Sequence, residues 1–287
     1  MSRLPHLAQR LFNTPVAIHP QKAEIVIGAL ADRLGVTHLF RDGGTVALQP
    51  RAMLLDEADR APERAYDVVA GIAVIPIAGT LVQKLGSLRP FSGMTGYDGI
   101  RMNFLAALND EDVDAIVLDI DSPGGEVAGC FDLADMIFAS RGKKPIWAIL
   151  NENAFSAAYA IASAADRITV PRTGGTGSIG VICMHVDMTQ ALSKAGVVVT
   201  LIRYGAYKAE GSEYESLSKD ALARMQSDID QMGNLFCDTV ARNRKLRSSV
   251  VRGFEARTFL GSAGVDAGLA DAVLAPDAAF ADLARSL

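Results

Sequence analysis

Apolar runs that never alternate with polar residues set the fold that this chain of 287 residues can adopt. The clearest run is Ala115-Ile116-Val117-Leu118, shortly before the turn at Pro123. A strand that is apolar at every position needs cover on both faces, as the strands of a parallel sheet have. Segments with helical spacing lie between these runs, so the sequence predicts an α/β fold with mostly parallel sheets flanked by helices.

Two regions of the chain differ in their patterning. Residues 1–66 form an N-terminal segment and linker, with an amphipathic helix predicted at 20–34 and charged, turn-rich sequence at 41–66. Residues 67–287 form the main domain, where predicted strands and helices alternate. The predicted strands are 68–82, 114–120, 146–150, 167–170, 179–188 and 197–202. The predicted helices are 97–108, 126–141, 156–165 and 219–245.

Composition argues against several classes of protein. The formal net charge is −5, so we expect no basic surface for nucleic acid. We expect no membrane span, because no apolar run reaches the roughly 18 residues that a span needs, and no signal peptide. The three cysteines form no CxxC pair, which favours buried thiols in a reducing cytoplasm. Without an HExxH motif or a His/Cys cluster, we expect neither a metal nor another cofactor.

The first motif that could carry chemistry is Asp121-Ser122-Pro123-Gly124-Gly125, between a predicted strand and a predicted helix. Glycines let a backbone approach a ligand closely. Free N–H groups at the start of a helix favour negative charge. Such a turn could hold an oxyanion, although taken alone it is more simply an ordinary tight turn.

The second motif is a serine, Ser156, where a predicted strand gives way to a helix of small residues. A nucleophile at this point directs its hydroxyl outward, and the next backbone N–H, that of Ala157, can help to bind an oxyanion. Taken alone, Ser156 is more simply the N-cap of a helix.

The third motif is the glycine-containing loop 203–211, which carries Lys208. A lysine is protonated at neutral pH unless burial among apolar groups lowers its pKa. A neutral amine could then accept the proton of the serine. Taken alone, Lys208 is an exposed lysine in a loop.

A fourth motif, the glycine-rich stretch 172–180, lacks the GxxxxGK[ST] order of a phosphate loop. Its Ser178 could hydrogen-bond a nearby amine, or the stretch is a plain loop. A Ser-His-Asp triad would depend on His185, since the other three histidines lie in the N-terminal segment. We disfavour that triad, because His185 lies in a predicted strand and Ser156 has no G-x-S-x-G surround.

In their order along the chain, these motifs resemble the signal peptide peptidase A family, whose fold is similar to that of crotonases and Clp peptidases. The closing stretch 257–271 fits the same family. Within the family, the chain is most similar to the capsid assembly proteases of lambda-like tailed phages. That similarity rests on residues 13–35, 71–74, 79–82, 90–97 and 122–129.

The resemblance implies a serine endopeptidase with a Ser/Lys dyad, in which Ser156 is the nucleophile, Lys208 the general base and Ser178 the residue that orients the lysine. The oxyanion donors would be the backbone N–H groups of Gly124, Gly125 and Ala157. It also implies a homo-oligomer in the host cytoplasm or inside the procapsid, with scaffold, portal and capsid proteins as substrates.

The chain departs from the family pattern at two points. Ala157-Ala158 replaces the Gly-Gly of many members, and the chain ends soon after Asp271, which puts a fused scaffold segment in doubt. Three other functions stay open. They are a cytoplasmic peptidase of the same family that degrades peptides, a crotonase-like acyl-CoA enzyme, and an inactive assembly or scaffold protein.

Overall fold

The computed structural model describes residues 15–18 and 65–287. The strands in these residues are β1 Val16–Ile18, β2 Asp67–Val69, β3 Ile72–Ala78, β4 Thr80–Val82, β5 Met94–Gly96, β6 Ala115–Ser122, β7 Gly124–Glu126, β8 Ile146–Phe155, β9 Arg167–Val170, β10 Gly175–Gly177, β11 Thr258–Leu260 and β12 Ala272–Val273. The helices are α1 Tyr97–Asn109, α2 Cys130–Ala139, α3 Ala157–Ser163, α4 Thr189–Lys194, α5 Lys219–Arg244, α6 Ser248–Arg252, α7 Ser262–Asp266 and α8 Pro276–Ser286.

Two sheets carry these strands, and most of the strand pairs are parallel. The larger sheet has the order β11-β10-β8-β6-β3-β2, with β9 and β12 attached along the first part of β8. Its inner strands β3, β6, β8 and β10 all run parallel to one another. The smaller sheet has the order β1-β7-β4-β5, with β1 antiparallel to β7. The prediction of mostly parallel sheets flanked by helices is confirmed.

Helices cover both faces of the larger sheet, which explains the unbroken apolar runs. On one face, Ile116 and Leu118 of β6 belong to the main core. On the other face, Ala115 and Val117 of the same strand pack in a smaller cluster with α8. The main core also takes in buried residues from four helices, namely Phe104 of α1, Ile137 of α2, Ile161 of α3 and Phe236 of α5.

Some of the predicted boundaries are wrong, and glycines account for the differences. The predicted strand 68–82 is three strands, because the chain turns through the positive φ angles of Gly71 and Gly79. The predicted helix 126–141 starts later, at Cys130, after the short strand β7 and the left-handed Gly129. The predicted helix 219–245 is confirmed as α5.

The predicted strands 179–188 and 197–202 are also wrong, because among the described residues they pair with no sheet edge apart from a single bridge at Ile182. Residues 180–220, here called the exposed segment, contain no buried residue. The predicted helix 20–34 and nearly all of the predicted linker lie outside the described residues, and a domain boundary at residue 66 stays a prediction. Among the helices described, none is long and apolar enough to cross a membrane.

Candidate active site

Ser156 stands between the end of β8 and the start of α3, in a strained backbone conformation. Its φ is 54° and its ψ is −122°, a region that residues other than glycine rarely adopt. Its backbone N–H donates to Gly177 O (2.9 Å), and its carbonyl accepts from the Ala160 N–H of α3 (3.0 Å). These bonds hold the strain in place and fix the direction of the side chain.

The Ser156 hydroxyl is enclosed. The residue is 1% exposed, and its Oγ donates to Gly180 O at 3.4 Å, which is a long hydrogen bond. The small residues of α3 that follow it are all fully buried. In the described conformation, the proposed nucleophile therefore has almost no contact with solvent.

The glycine turn lies directly beside this serine. Strands β6 and β8 are parallel neighbours, so their carboxyl ends meet at the same edge of the sheet. A Cβ atom added to Gly124 would lie 2.9 Å from Ser156 Cβ, which leaves no room for a side chain. The Gly124 N–H donates to Ser122 Oγ (3.2 Å), and that hydroxyl donates to Gly79 O (2.7 Å).

The other two predicted oxyanion donors lie on elements that flank the serine. Gly125 is the middle residue of β7, paired with Leu81 of β4 on one side and with Ala17 of β1 on the other. Ala157 is the first residue of α3, so its N–H has no carbonyl partner inside the helix. An anion beside Ser156 would meet the positive end of this short helix.

Ser178 directly follows β10 and also comes close to the serine. Its neighbour Gly177 accepts the hydrogen bond from the Ser156 N–H, and Ser178 itself donates its N–H to Arg257 O (2.9 Å). Ser178 has a φ of 54° and is buried. The structure thus gathers Gly124, Ser156 and Ser178 at one edge of the larger sheet.

Lys208 is the one predicted site residue that the described chain does not bring to this edge. It lies on an exposed turn of the exposed segment, with its N–H donating to Gly205 O (3.2 Å). Within the described residues, no hydrogen bond joins Lys208 to Ser156. The Ser/Lys dyad therefore stays a prediction.

The turn that carries Lys208 is anchored to helix α5 by one side chain. Arg224 donates through two nitrogens to the Glu210 carboxylate, with Nε 2.9 Å from Oε2, and its guanidinium lies 4.5 Å from the centre of the Tyr207 ring. The hydrogen bonds from Arg224 lower the pKa of Glu210. The residue before Lys208 and the residue two positions after it both contact α5.

The far end of helix α3 is fixed by Arg141. Its guanidinium donates to three consecutive carbonyls, those of Ser163 (2.9 Å), Ala164 (2.9 Å) and Ala165 (2.5 Å). The last carbonyls of a helix lack partners inside it, and a cation there also opposes the helix dipole. The helix that begins at Ser156 is therefore held at both ends.

The cysteines and His185 have no part in the predicted chemistry. Cys130, Cys183 and Cys237 are free thiols, and burial raises the pKa of Cys130 to about 12. Cys130 Sγ lies 3.6 Å from Ala157 O, beneath the start of α3, where it packs as a small apolar side chain. His185 belongs to the exposed segment. No group of potential metal ligands occurs among the described residues.

Sequence reasoning missed two contributors to the site. Ser122 supports the glycine turn through its hydroxyl, and a polar residue before a proline gave a weak signal for this. Ala17 of β1 lies against Gly124, with its carbonyl oxygen 2.2 Å from the position of an added Cβ. Nothing in the short apolar stretch 15–18 indicates such a contact, because backbone pairing depends little on side-chain identity.

Comparison with known proteins places this geometry in context. A family model described as Peptidase family S49 matches residues 139–287. The chain is 42% identical over 289 residues to the head-tail preconnector protein GP5 of Enterobacteria phage P21, covering 99% of this chain and 58% of that protein. It is 42% identical over 277 residues to the capsid assembly protease C of Escherichia phage lambda, covering 94% of this chain and 63% of that protein. The chain thus spans about three fifths of the length of these two relatives.

The chain is also similar to a more distant relative and to a solved structure. A putative signal peptide peptidase SppA of Enterococcus faecium is 28% identical over 177 residues, covering 60% of this chain and 52% of that protein. Among solved structures, a ClpP1 mutant from Listeria monocytogenes superposes with a TM-score of 0.43 and 13% identity, over 70% of this chain and 90% of that one. The sequence matches confirm the resemblance stated from the motifs.

Proposed function

This chain belongs to peptidase family S49, and from that membership we propose that it is a serine endopeptidase with Ser156 as its nucleophile. The observation that carries the proposal is the strained serine at the strand-to-helix turn, packed against Gly124. Such a turn presents the hydroxyl to a bound carbonyl, with backbone N–H groups nearby. The names of two relatives refer to phage heads, so we propose phage head proteins as substrates, namely scaffold, portal and capsid proteins in the host cytoplasm.

The proposed reaction is acyl transfer followed by hydrolysis. Ser156 Oγ attacks the peptide carbonyl and forms a C–O bond, while its proton passes to the neutral amine of Lys208. The negative charge on the former carbonyl oxygen is stabilised by N–H groups of the glycine turn and of Ala157. The C–N bond then breaks, the lysine returns the proton to the leaving amine, and water hydrolyses the acyl-enzyme. Loss of one such N–H donor typically costs about 2.7–4 kcal/mol in the transition state.

Lys208 must approach Ser156 for this reaction, and the exposed segment suggests how. Val198, Ile202 and Tyr204 are 91%, 97% and 100% exposed, although apolar side chains of this size are normally buried. We propose that a homo-oligomer covers this segment and brings a Lys208 to each Ser156. Burial among those side chains would also favour the neutral form of the lysine that a base requires.

The test compares three single substitutions in cleavage of a head-protein substrate, followed by mass spectrometry. Ser156→Ala and Lys208→Ala should abolish cleavage while circular dichroism remains that of the wild type. Lys194→Ala is the matched control, because Lys194 is an exposed lysine of the same exposed segment, and it should cleave normally. Normal cleavage by folded Ser156→Ala protein would show that Ser156 is not the nucleophile. Assembly of normal heads with Ser156→Ala protein that cleaves nothing would favour an inactive assembly protein.

A mixing experiment tests whether the lysine comes from another copy. Ser156→Ala and Lys208→Ala proteins are each expected to be inactive, but co-refolded mixtures would contain intact Ser156 beside intact Lys208. Activity in the mixture would support a shared site. A mixture that forms oligomers and stays inactive would restrict the dyad to one chain.

A further inference from the structure

Strand β1, from the N-terminal segment, lies in a groove next to the proposed nucleophile. One edge of β1 runs antiparallel to β7, with Ala17 opposite Gly125, and the Val127 N–H donates to Pro15 O (3.4 Å). The other edge meets the exposed segment. There the Val16 N–H donates to Ile182 O (2.9 Å), and the Ile182 N–H donates to Val16 O (3.0 Å). The backbone of β1 is therefore paired on both sides.

The carbonyl of Ala17 lies beside Gly124, the glycine that is next to Ser156. A Cβ placed on Gly124 would lie 2.2 Å from Ala17 O and 2.9 Å from Ser156 Cβ, so the strand and the serine flank the same glycine. Ala17 and Ser156 are each 1% exposed. The strand and the serine are thus neighbours across Gly124, and both are shielded from solvent.

This arrangement is how a sheet edge holds an extended peptide ligand. Main-chain hydrogen bonds give such a peptide its affinity, and pockets for alternate side chains give it selectivity. Here the residue of β1 next to Gly124 is alanine, and at 1% exposure its side chain lies in a closed space. An incoming peptide that used the same hydrogen-bonding groups of β7 and Ile182 would have to displace β1.

We propose that β1 is an internal pseudo-substrate, which occupies the groove where an extended peptide substrate pairs and which must leave before a substrate reaches Ser156. This inference rests on the proposed function of Ser156. In this proposal the substrate backbone binds in the groove between β7 and Ile182. A small residue of the substrate then takes the place of Ala17. Only three residues form β1, so its release breaks few hydrogen bonds.

A reversible disulfide between β1 and its neighbour provides the test. Val16 and Ile182 exchange both backbone hydrogen bonds, and such antiparallel pairs have Cα atoms about 5.5 Å apart. That spacing suits a disulfide. The variant Val16→Cys/Ile182→Cys is made in a Cys183→Ser background, since Cys183 is an adjacent thiol. The control is Val16→Cys/Cys183→Ser, which has no partner thiol at residue 182.

The readouts are labelling of Ser156 by a fluorophosphonate probe and cleavage of a test peptide, each before and after reduction. The oxidised double-cysteine variant should react about tenfold more slowly or worse, because only molecules with an open groove react. Reduction should restore both rates, and oxidation should leave the control unchanged. Equal rates for the oxidised and reduced forms would overturn the proposal. Failure of the disulfide to form would overturn it too, because the strand would not lie beside Ile182.

A second variant tests the small residue. Ala17 is 1% exposed, so the long charged side chain of Ala17→Arg has no room there. This variant should free the groove and raise the rate of probe labelling several-fold, whereas Ala17→Ser should behave as the wild type. A synthetic peptide of sequence NTPVAIHP, residues 13–20, should inhibit the Ala17→Arg variant competitively. Unchanged labelling of Ala17→Arg, with no inhibition by the peptide, would contradict the inference. Labelling or cleavage that persists in Ser156→Ala would instead contradict the proposed function itself.

Discussion

Gly125→Ala should destabilise the protein and nearly abolish its activity. The added methyl carbon would lie 1.9 Å from Leu81 O and 2.5 Å from Leu81 C, and both are backbone atoms of β4. Because a backbone cannot rotate away as a side chain can, β4 and β7 must separate. Overpacking of this kind costs about 3 kcal/mol, the upper end of the usual range. That corresponds to a fall in melting temperature of about 6–12 °C for a domain of this size.

The effect on catalysis follows from the same displacement. β7 carries the glycine turn, and a shift of about 1 Å in a catalytic group lowers a rate by roughly a hundredfold. The assay combines thermal unfolding by circular dichroism with kcat/KM for a test peptide. Gly233→Ala is the control, since Gly233 lies on α5 with no atom within 4 Å of an added Cβ. It should gain about 0.5–1 kcal/mol in stability. A Gly125→Ala protein with normal melting temperature and kcat/KM would refute the reasoning.

Two further predictions concern stability. Phe236→Ala should lower the free energy of unfolding by about 3–5 kcal/mol, measured by urea titration. Phe236 is fully buried and packs edge-on against Phe131, with 5.5 Å between the two ring centres. A loss below 1 kcal/mol would contradict the packing. Burial tends to raise the pKa of Asp271, but hydrogen bonds from Arg244 and the Ile168 N–H outweigh it and lower that pKa. A carboxyl with a lowered folded-state pKa stabilises the fold above its unfolded pKa of about 3.9 and loses that contribution as pH falls through the folded-state value. Asp271→Asn should therefore show a smaller drop in urea midpoint between pH 5 and pH 3 than the wild type, and an identical drop would refute the assignment.

The sequence predicted the parts of the fold that depend on burial. The apolar run at 115–118 correctly indicated a strand covered on both faces, because alternate residues pack against different layers. The proximity of Gly124 to Ser156, which the resemblance implied, follows from the rule that parallel strands end at one edge of a sheet. Both inferences depend on physical constraints that act within a single chain.

The sequence failed where the outcome depends on a neighbour. Residues 197–202 are rich in β-branched side chains, yet a strand requires an adjacent edge, and the described chain offers none. Lys208 shares this exposed segment, so its distance from Ser156 could not be read from spacing along the sequence. The pairing of β1 was missed for a related reason, since hydrogen bonds between backbones leave little trace in residue identity.

The hydrogen bonds from Arg141 to three carbonyls at the end of α3 matter for engineering of the groove between β7 and Ile182. Arg141 fixes the position of Ser156, because helix α3, which follows Ser156, cannot shift along its axis without breaking those hydrogen bonds. Strand β1, by contrast, is held to β7 and Ile182 by a few backbone hydrogen bonds. Substitutions that change peptide selectivity should therefore be made first in β1 and at Ile182, where residues can be exchanged without moving Ser156.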